Sequence, residues 1–441
     1  MSRKLLHTLI PAVAIALIPS TTAVQAANPA STYRQLDQLM DVFERVRAEY
    51  VDEVTDEQLI EGAINGMLSS LDPHSSFLNM RNFERMRTQT EGEYGGLGLT
   101  VSQEDGVVKV IAPTDDTPAA RAGIKAGDYI THIDGELIYG LSLDDAVDKM
   151  KGLPGTTVKI SVVRTGQQKP MELTLKREVI SLKPVKSEVK NNIGILRIST
   201  FNKQTGEATR QAIASMEKQA GGKLLGFVID LRSNPGGLLD QAIEVSDAFL
   251  ERGEIVSQRG RRKGDVQRYY AREGDDTKGK PIVVLVDEGS ASAAEIVAGA
   301  LQDHRRALVL GQRSFGKGSV QTLIPMTQDT ALRLTTARYY TPSGRSVQEA
   351  GIEPDITVPQ LSDADYKERR VIREADLRQH LRNDAVKDNK IIEEDDKENP
   401  RFTRSAADLE KAGVKDYQLD YAMKVIGRLG PQPVQTAEVS R

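Results

Sequence analysis

The sequence contains no cysteine and no tryptophan, and aromatic residues make up only 5% of its 441 positions. Without cysteine there are no disulfides and no thiol chemistry, which excludes a disulfide-stabilised fold and a cysteine nucleophile. The net charge of −4 leaves no broad basic field and argues against a nucleic-acid partner. With 39% hydrophobic and 28% charged residues, the composition is typical of a soluble protein of about three domains.

Long apolar runs are also missing, with one exception at the start of the chain. Two basic residues precede an apolar segment from Leu9 to Ile18, and small residues follow as far as Ala26. This order is typical of a secretory signal peptide, so we expect residues 1–26 to be removed after export. A retained membrane anchor fits less well, because the apolar run is short and two prolines interrupt it.

Residues 31–82 are predicted to form a helical region. Apolar residues recur every three or four positions between Leu36 and Tyr50, and Thr55 and Gln58 have the spacing of a capping box before a second helix. The pair of helices could be a packed cap or an oligomerisation arm, and the pattern alone slightly favours packing. The stretch "LDPHSSFL", residues 71–78, ends the region.

Residues 83–180 change to short strand-like runs separated by glycine turns. One helix is expected at about Leu143 to Met150, with Ser142 as its N-cap. The motifs "YGGLGL" at Tyr94 to Leu99 and "RAGIKAGDYITHIDG" at Arg121 to Gly135 resemble those of a PDZ domain. A PDZ domain binds a chain terminus, since amide groups of the glycine loop hold a carboxylate while the peptide adds as a strand.

If the resemblance holds, six residues from this loop and the facing helix frame the pocket for the last side chain of a peptide. Each of them, taken singly, could also be ordinary core. The predicted pocket residues are Leu97, Gly98, Leu99, Ala146, Val147 and Met150.

Residues 181–358 alternate strands with helices, which predicts an α/β core whose ligands gather at the carboxyl ends of the strands. The strand at "LLGFVID" is almost continuously apolar and should be covered on both faces. Three loops at such ends carry polar residues and glycines: 234–237 ("NPGG"), 289–292 ("GSAS") and 314–321 ("SFGKGSVQ"). We expect these loops to converge on one cleft.

None of the five histidines neighbours these loops, and the G-x-S-x-G elbow is absent. A lysine is therefore the remaining candidate for the base, as in the Ser-Lys variants of the catalytic triad. The ordinary lysine pKa of about 10.4 must fall for this role, and lowering it to near neutrality requires about 4 kcal/mol, which burial can supply. Lys317 is the candidate, and Gln321 lies one helical turn later if that segment is helical.

Two serines compete for the role of nucleophile. Ser292 opens a helix, where the N–H of Ala293 can hold a developing oxyanion, whereas Ser290 is expected to be structural. A second donor is needed, and we expect the N–H groups of Gly236 and Gly237 to be free for it. The simpler alternative for Ser292 is N-capping alone.

Five motifs in order, "LDPHSSFL", "GILRISTF", "DLRSNPGG", "SASAAEI" and "SFGKGSVQ", closely resemble the carboxyl-terminal processing (tail-specific) serine proteases. The resemblance implies Ser292 as nucleophile, Lys317 as general base and Gln321 as its orienting partner. It further implies an oxyanion hole at Gly237 and Ala293, and a core similar to the crotonase and Clp-protease folds. It implies no cofactor and no metal.

Residues 359–441 contain a charge-rich linker and a final helix from about Lys415 with one apolar face. That face must pack on the same core or on another subunit, and we favour oligomerisation because the N-terminal helices offer a partner. The stripe consists of Leu419, Ala422, Met423, Ile426 and Leu429.

The sequence thus predicts a multidomain α+β and α/β protein with N-terminal helices, a PDZ domain, a protease core and a helical C-terminal extension. The predicted function is a periplasmic serine endopeptidase that recognises exposed C-termini of protein or peptide substrates. The resemblance also implies a PDZ domain that gates the cleft and, in some relatives, a lipoprotein adaptor. Two alternatives stay open: a non-catalytic PDZ scaffold, and a small-ligand binder on a crotonase-like core.

Overall fold

The computed structural model describes residues 29–104, 106–167, 169–366, 371–383, 402 and 404–429. The predicted signal peptide and most of the charge-rich linker lie outside these residues. The chain divides into two compact units, residues 1–64 and 65–441. Among the described helices, none has the length and apolar composition to cross a bilayer.

The first unit contains helix α1 (Pro29–Glu49) and the first turns of helix α2 (Asp56–Ser69). The predicted capping box is confirmed, because the Thr55 N–H donates to Gln58 Oε1 at 3.0 Å and the Gln58 N–H to Thr55 Oγ1 at 3.2 Å. The apolar stripe of α1 is exposed, with Leu36 and Met40 about half accessible.

Within the second unit, strand β1 (Ser76–Leu78) and helix α3 (Met80–Glu91) precede a small β-domain. Its strands β3, β4, β5, β7 and β8 form an antiparallel sheet with β6 on β5, while β2 pairs with β9. Ser142 caps α5 as predicted, accepting from the Asp145 N–H at 3.2 Å. The elements are β2 (Glu93–Gly96), β3 (Leu99–Glu104), β4 (Val107–Pro113), α4 (Pro118–Arg121), β5 (Tyr129–Ile133), β6 (Glu136–Leu137), α5 (Leu143–Met150), β7 (Thr157–Val163), β8 (Met171–Lys176) and β9 (Glu178–Ser181).

The rest of the second unit is built around a six-stranded sheet in the order β10-β11-β12-β15-β16-β19, parallel except for β10. The alternation of strands and helices is confirmed. The elements are β10 (Val185–Lys190), β11 (Ile193–Ile198), α6 (Thr205–Gln219), β12 (Gly226–Asp230), α7 (Leu239–Asp247), β13 (Gly253–Gly260), β14 (Val266–Ala271), β15 (Ile282–Val286), α8 (Ala293–Asp303), β16 (Leu308–Gly311), β17 (Ser319–Pro325), β18 (Ala331–Tyr340), β19 (Ile356–Thr357), α9 (Ala406–Lys411) and α10 (Tyr417–Leu429).

A second, antiparallel sheet lies in the same unit and was not predicted. It has the order β1-β18-β13-β14, with β17 also pairing with β18. Strand β1 therefore brings the "LDPHSSFL" segment, from the N-terminal side of the β-domain, onto a strand of the core. No local pattern indicates this pairing, since about 250 residues separate the two strands.

Both faces of the parallel sheet are covered, as the apolar β12 strand predicts. Phe227 and Ile229 pack with residues of α6, α7 and α8, whereas Val228 belongs to a cluster that includes α10. Three of the five stripe residues of α10 are buried in that cluster: Ala422, Met423 and Ile426.

The chain's own sheet thus covers most of the C-terminal apolar stripe, which corrects the expectation that another subunit does so. An ion pair holds the start of α10, because Arg232 donates to Asp416 at 2.7 Å. Arg232 also pairs with Asp230 at the end of β12. The two ion pairs of Arg232 therefore connect the start of α10 to the sheet.

Candidate active site

Ser292 lies between β15 and α8, at the carboxyl end of a central strand. Its backbone has φ 57° and ψ −115°, a left-handed φ that costs a non-glycine residue about 1–3 kcal/mol. Its backbone N–H donates to Glu295 Oε2 at 2.7 Å, which helps to hold the turn. Its hydroxyl oxygen lies 2.7 Å from the hydroxyl of Tyr339, so this turn aims the side chain at β18.

The glycine loop after β12 packs directly beside Ser292. A Cβ atom on Gly236 would lie 2.7 Å from Ser292 Cβ and 3.0 Å from the Ala293 nitrogen, so only glycine fits there. Gly237 has φ 147°, and its Cβ would lie 2.2 Å from the Phe201 carbonyl oxygen. Gly236 therefore permits the close approach to Ser292, and Gly237 permits the close approach to Phe201.

Two of the three amides proposed for an oxyanion hole lack a hydrogen-bond partner among the described residues: those of Gly237 and Ala293. The Gly236 N–H is not free, since it donates to Asn234 Oδ1 at 2.8 Å. This corrects the expectation that both glycine amides are available. The Asn234 side chain also donates to the Ile198 carbonyl at 2.8 Å, which anchors the loop to the end of β11.

Lys317 lies in the loop before β17, and its Nζ donates to Gln321 Oε1 at 2.7 Å. Burial lowers the pKa of the Lys317 amine, and the nearby Arg333 guanidinium lowers it further. Three carboxylates oppose this effect more weakly, those of Glu374, Glu295 and Asp72. The net direction is the one that a general base requires.

Gln321 is not on a helix, which corrects the conditional geometry used in the sequence analysis. It lies in β17, directly after a bulge between Val320 and Gln321 that shifts the pairing with β18. Its Nε2 donates to Ser319 Oγ at 3.0 Å and to Thr335 Oγ1 at 3.2 Å. The strand nevertheless brings Gln321 to Lys317, so the predicted partnership is present with a different local structure.

No hydrogen bond joins Ser292 to Lys317 in the described part of the chain. The serine hydroxyl is paired with Tyr339 and the lysine amine with Gln321. Burial raises the pKa of Tyr339, so this phenol stays neutral. In active sites such hydrogen bonds are often incomplete without substrate.

Glu295 connects the Ser292 loop to the Lys317 loop. Its carboxylate, which is completely buried, accepts from the backbone N–H groups of Ser292, Gly316 and Lys317 and from the Ser314 hydroxyl, at 2.5 to 2.9 Å. Burial raises its pKa to about 7, although all four hydrogen bonds act in the opposite direction. One side chain thus sets the spacing of the two loops.

Replacing Glu295 with alanine should lower the free energy of unfolding by about 3 kcal/mol. Three backbone donors would lose their acceptor, and each unsatisfied buried donor costs about 1–3 kcal/mol before water enters the vacated space. Urea denaturation of the variant measures this loss. Glu251→Ala, at an exposed position, is the control and should leave stability unchanged. Wild-type stability of Glu295→Ala would contradict the assigned role.

The four described histidines bond elsewhere, and none of them contacts Ser292 by a hydrogen bond. His74 Nε2 lies 2.8 Å from the buried Glu374 carboxylate, His132 bonds Thr131, His304 bonds the Glu254 carbonyl, and His380 bonds Glu349. A histidine base is therefore absent from the described site.

The predicted peptide pocket corresponds to a small groove between β3 and α5. It holds about 50 Å³ and is lined by five of the six predicted residues, together with Tyr94, Gly96, Val101 and Lys151. Ala146 is the exception: it is completely buried in the core of the β-domain. Ala146 lies on the face of α5 that packs into this core, so it does not line the groove as predicted.

Sequence reasoning missed two residues of the candidate active site, Tyr339 and Glu295. Glu295 had a detectable signal, since it is a lone charged residue within the small and apolar run "ASAAEIVAGA". Tyr339 had none, because only the pairing of distant strands brings it to Ser292.

Comparison with known proteins identifies the segments of the chain. The profile of peptidase family S41 matches residues 192–358, a PDZ domain profile matches residues 95–175, and the profile of the activating protease CtpB N-terminal domain matches residues 16–82. The three profiles follow one another along the chain in the order that the sequence predicts.

Curated relatives match most of the chain. A carboxy-terminal-processing protease of Bartonella bacilliformis is 49% identical over 412 residues, which cover 93% of this chain and 92% of the relative. The carboxy-terminal processing protease CtpB of Bacillus subtilis is 36% identical, covering 78% and 72%. A solved photosystem II D1 C-terminal processing protease is 29% identical with a TM-score of 0.43, covering 75% and 92%.

Proposed function

Because the chain belongs to the carboxy-terminal-processing proteases of peptidase family S41, we propose that it cleaves peptide bonds by a serine–lysine mechanism. Ser292 is the nucleophile, Lys317 the general base and Gln321 the group that orients the lysine. The main observation in support is the Lys317 amine, which burial keeps at a lowered pKa and which Gln321 holds at 2.7 Å.

The proposed reaction begins when the Ser292 hydroxyl turns from Tyr339 toward Lys317. The neutral amine takes the hydroxyl proton as the oxygen attacks the scissile carbonyl. The free amides of Gly237 and Ala293 stabilise the negative charge that develops on the carbonyl oxygen. Lys317 then gives its proton to the leaving amine, and water hydrolyses the acyl-enzyme by the same route in reverse.

The PDZ domain supplies recognition of exposed C-termini in this proposal. The groove beside β3 begins at the loop Gly96–Leu99, and Gly98 has φ 77°, a left-handed conformation that favours glycine. A Cβ atom there would lie 2.4 Å from the Thr117 side chain. The groove is small and largely apolar, so it suits a small apolar side chain at the end of a substrate.

We further propose where the protein acts and with which partners. The leader-like residues 1–26 support export, and we propose the periplasm as the location. The exposed stripe of α1 supports homo-oligomerisation through the N-terminal helices, whereas α10 is covered by its own sheet. A lipoprotein adaptor is part of the proposal by family resemblance alone.

A matched pair of substrates tests recognition of the C-terminus. An unstructured peptide with a free C-terminal carboxylate should be cleaved with at least about tenfold higher kcat/KM than the same peptide with a C-terminal amide, a difference of about 1.4 kcal/mol. The amide cannot offer the carboxylate that the loop amides would bind. Mass spectrometry of timed digests measures both rates.

The variant Leu99→Asp places a charge in the groove and should remove the preference for the free carboxylate. Leu137→Asp is the matched control, because Leu137 is an exposed residue of the same domain outside the groove. Equal cleavage of the two peptides by the wild type would contradict recognition of the carboxylate. Absence of any cleavage would instead favour a scaffold.

A further inference from the structure

The segment "LDPHSSFL" has no role in the mechanism above. Part of it nevertheless pairs with β18, which in turn pairs with the strand that contains Gln321. Asp72 and Ser75 are almost completely buried. Strand β1 pairs with the first residues of β18, with Ser76 opposite Arg333. Two residues further along β18, Thr335 lies opposite Gln321, so the segment and Gln321 approach the same threonine.

A chain of three hydrogen bonds connects Asp72 to the catalytic lysine. Thr335 Oγ1 donates to Asp72 Oδ1 at 3.1 Å, Gln321 Nε2 donates to Thr335 Oγ1 at 3.2 Å, and Lys317 Nζ donates to Gln321 Oε1 at 2.7 Å. The Asp72 carboxylate is itself fixed, because it accepts from the backbone N–H groups of His74 and Ser75 and from the Ser75 hydroxyl, at 2.8 to 2.9 Å.

The direction of each bond follows from the number of protons available. A carboxylate oxygen only accepts, and a threonine hydroxyl has a single proton to donate. Once Thr335 gives that proton to Asp72, it can only accept from Gln321. The Gln321 side chain must therefore turn its NH₂ group toward Thr335 and its carbonyl oxygen toward Lys317.

The orientation of this amide matters for the chemistry at Lys317. A carbonyl oxygen accepts an N–H of the amine and leaves the nitrogen lone pair free for the Ser292 proton. A reversed amide would donate its N–H to that lone pair, and the base would be occupied. An amide by itself has no strong preference between the two orientations, so a neighbouring group must decide.

We propose that Asp72 is a positioning residue for catalysis, acting through Thr335 to keep the carbonyl oxygen of Gln321 directed at Lys317. This inference rests on the proposed serine–lysine function. It also gives the segment 71–78 a role in the mechanism, because the active site is complete only when this segment is docked on β18.

The test uses the full-length protein with Asp72→Ala, Thr335→Val and the double variant, and Asp72→Asn is the conservative variant that should restore most of the lost activity. Asp72→Asn keeps an oxygen in place of Oδ1, which accepts from Thr335 as well as from the two backbone donors, whereas Asp72→Ala removes this acceptor. Thr335→Val keeps the backbone bond to Ser75, so it breaks the chain with the smaller change, and urea denaturation checks that Asp72→Ala is folded. Thr336→Val is the matched control, because the Thr336 hydroxyl bonds Thr322 on the outer side of the same strands. The measurements are kcat, KM and the pH profile of kcat/KM.

Asp72→Ala and Thr335→Val should each lower kcat about tenfold with little change in KM, which is less than the 10²–10⁴-fold that a positioned general base contributes in full. The acidic limb of the profile should move to lower pH, because an amide N–H donated to the lysine favours the neutral amine. The double variant should be no slower than the slower single variant, since both changes break one chain of bonds. Thr336→Val should match the wild type.

Three results would overturn the inference: unchanged kcat and pH profile in Thr335→Val, fully additive effects in the double variant, or an equal loss in Thr336→Val. These results differ from failure of the proposed function. That failure would appear as wild-type protein that does not cleave, or as cleavage that survives Lys317→Met, whatever the Asp72 variants do.

Discussion

Ser292→Ala is expected to abolish peptide cleavage, with kcat reduced at least about a thousandfold, while the protein stays folded. The side chain supplies the only attacking atom in the proposed acyl transfer, and removal of the nucleophile in serine proteases costs up to about 10⁶ in kcat. The variant should still bind peptides with a free C-terminus. Cleavage of an unstructured peptide and circular dichroism measure the two properties.

Ser290→Ala provides the comparison, because Ser290 lies in the same turn with a different role. Its hydroxyl donates to the Leu231 carbonyl and accepts from the Asp287 N–H, both at 2.9 Å. We expect this variant to lose about 1–3 kcal/mol of stability through the unsatisfied partners and to retain cleavage. If Ser292→Ala retained cleavage, or if Ser290→Ala alone abolished it without unfolding, Ser292 would not be the nucleophile.

Lys317→Met and Lys317→Arg are both expected to abolish cleavage, for opposite physical reasons. Methionine cannot take the serine proton, and arginine, which stays charged in proteins, has no lone pair to offer. In a serine–lysine mechanism either change removes the base, so kcat should fall at least about a hundredfold. Single-turnover cleavage of a peptide measures the loss.

The same position should show a conflict between stability and activity. Because burial lowers the pKa of Lys317, the unfolded chain binds this proton more tightly than the folded protein. Stability should therefore rise with pH, from the lowered folded pKa up to the ordinary lysine value of about 10.4. Lys317→Met removes the buried amine and should raise the free energy of unfolding at neutral pH, with an effect that disappears as the pH approaches about 10.4.

Lys223→Met, at an exposed position, is the matched control and should change neither cleavage nor the pH dependence of unfolding. Urea denaturation at neutral pH and near pH 10 measures the effect. If Lys317→Met were less stable than the wild type at neutral pH, the amine would not be held at a desolvation cost. If Lys317→Arg kept full activity, the base would lie elsewhere.

The parts of the site that follow from local sequence could be predicted. The apolar runs identified the strands of the parallel sheet. The glycines beside Ser292 and the lysine between two glycines follow such strands, and the carboxyl ends of parallel strands meet at one edge of the sheet. The free amides of Gly237 and Ala293 agree with the predicted pair, and the occupied Gly236 amide does not. That error arose because the Asn234 side chain reaches back to its own loop, which the spacing of residues does not reveal.

The parts that depend on distant strand pairing could not be predicted. Asp72 reaches Thr335 because β1 pairs with β18, and Tyr339 lies at the other end of β18, which pairs with β13. A helical turn is one way to bring Gln321 to Lys317 four residues earlier, yet in the structure a bulged strand brings the two side chains together. Periodicity likewise identified the apolar face of α10 and left open which surface covers it.

The central claim is that an uncharged Lys317 amine receives the Ser292 proton. The most direct measurement is an NMR titration of ¹³C-labelled lysine in Ser292→Ala bound to an uncleaved substrate peptide, with Lys317→Arg to assign the signal. We expect the Lys317 signal to change from the charged to the neutral form along the acidic limb of the wild-type pH profile, and to be that of the neutral amine where cleavage is fastest. A signal that stays in the charged form at every pH at which the wild type cleaves would contradict the claim.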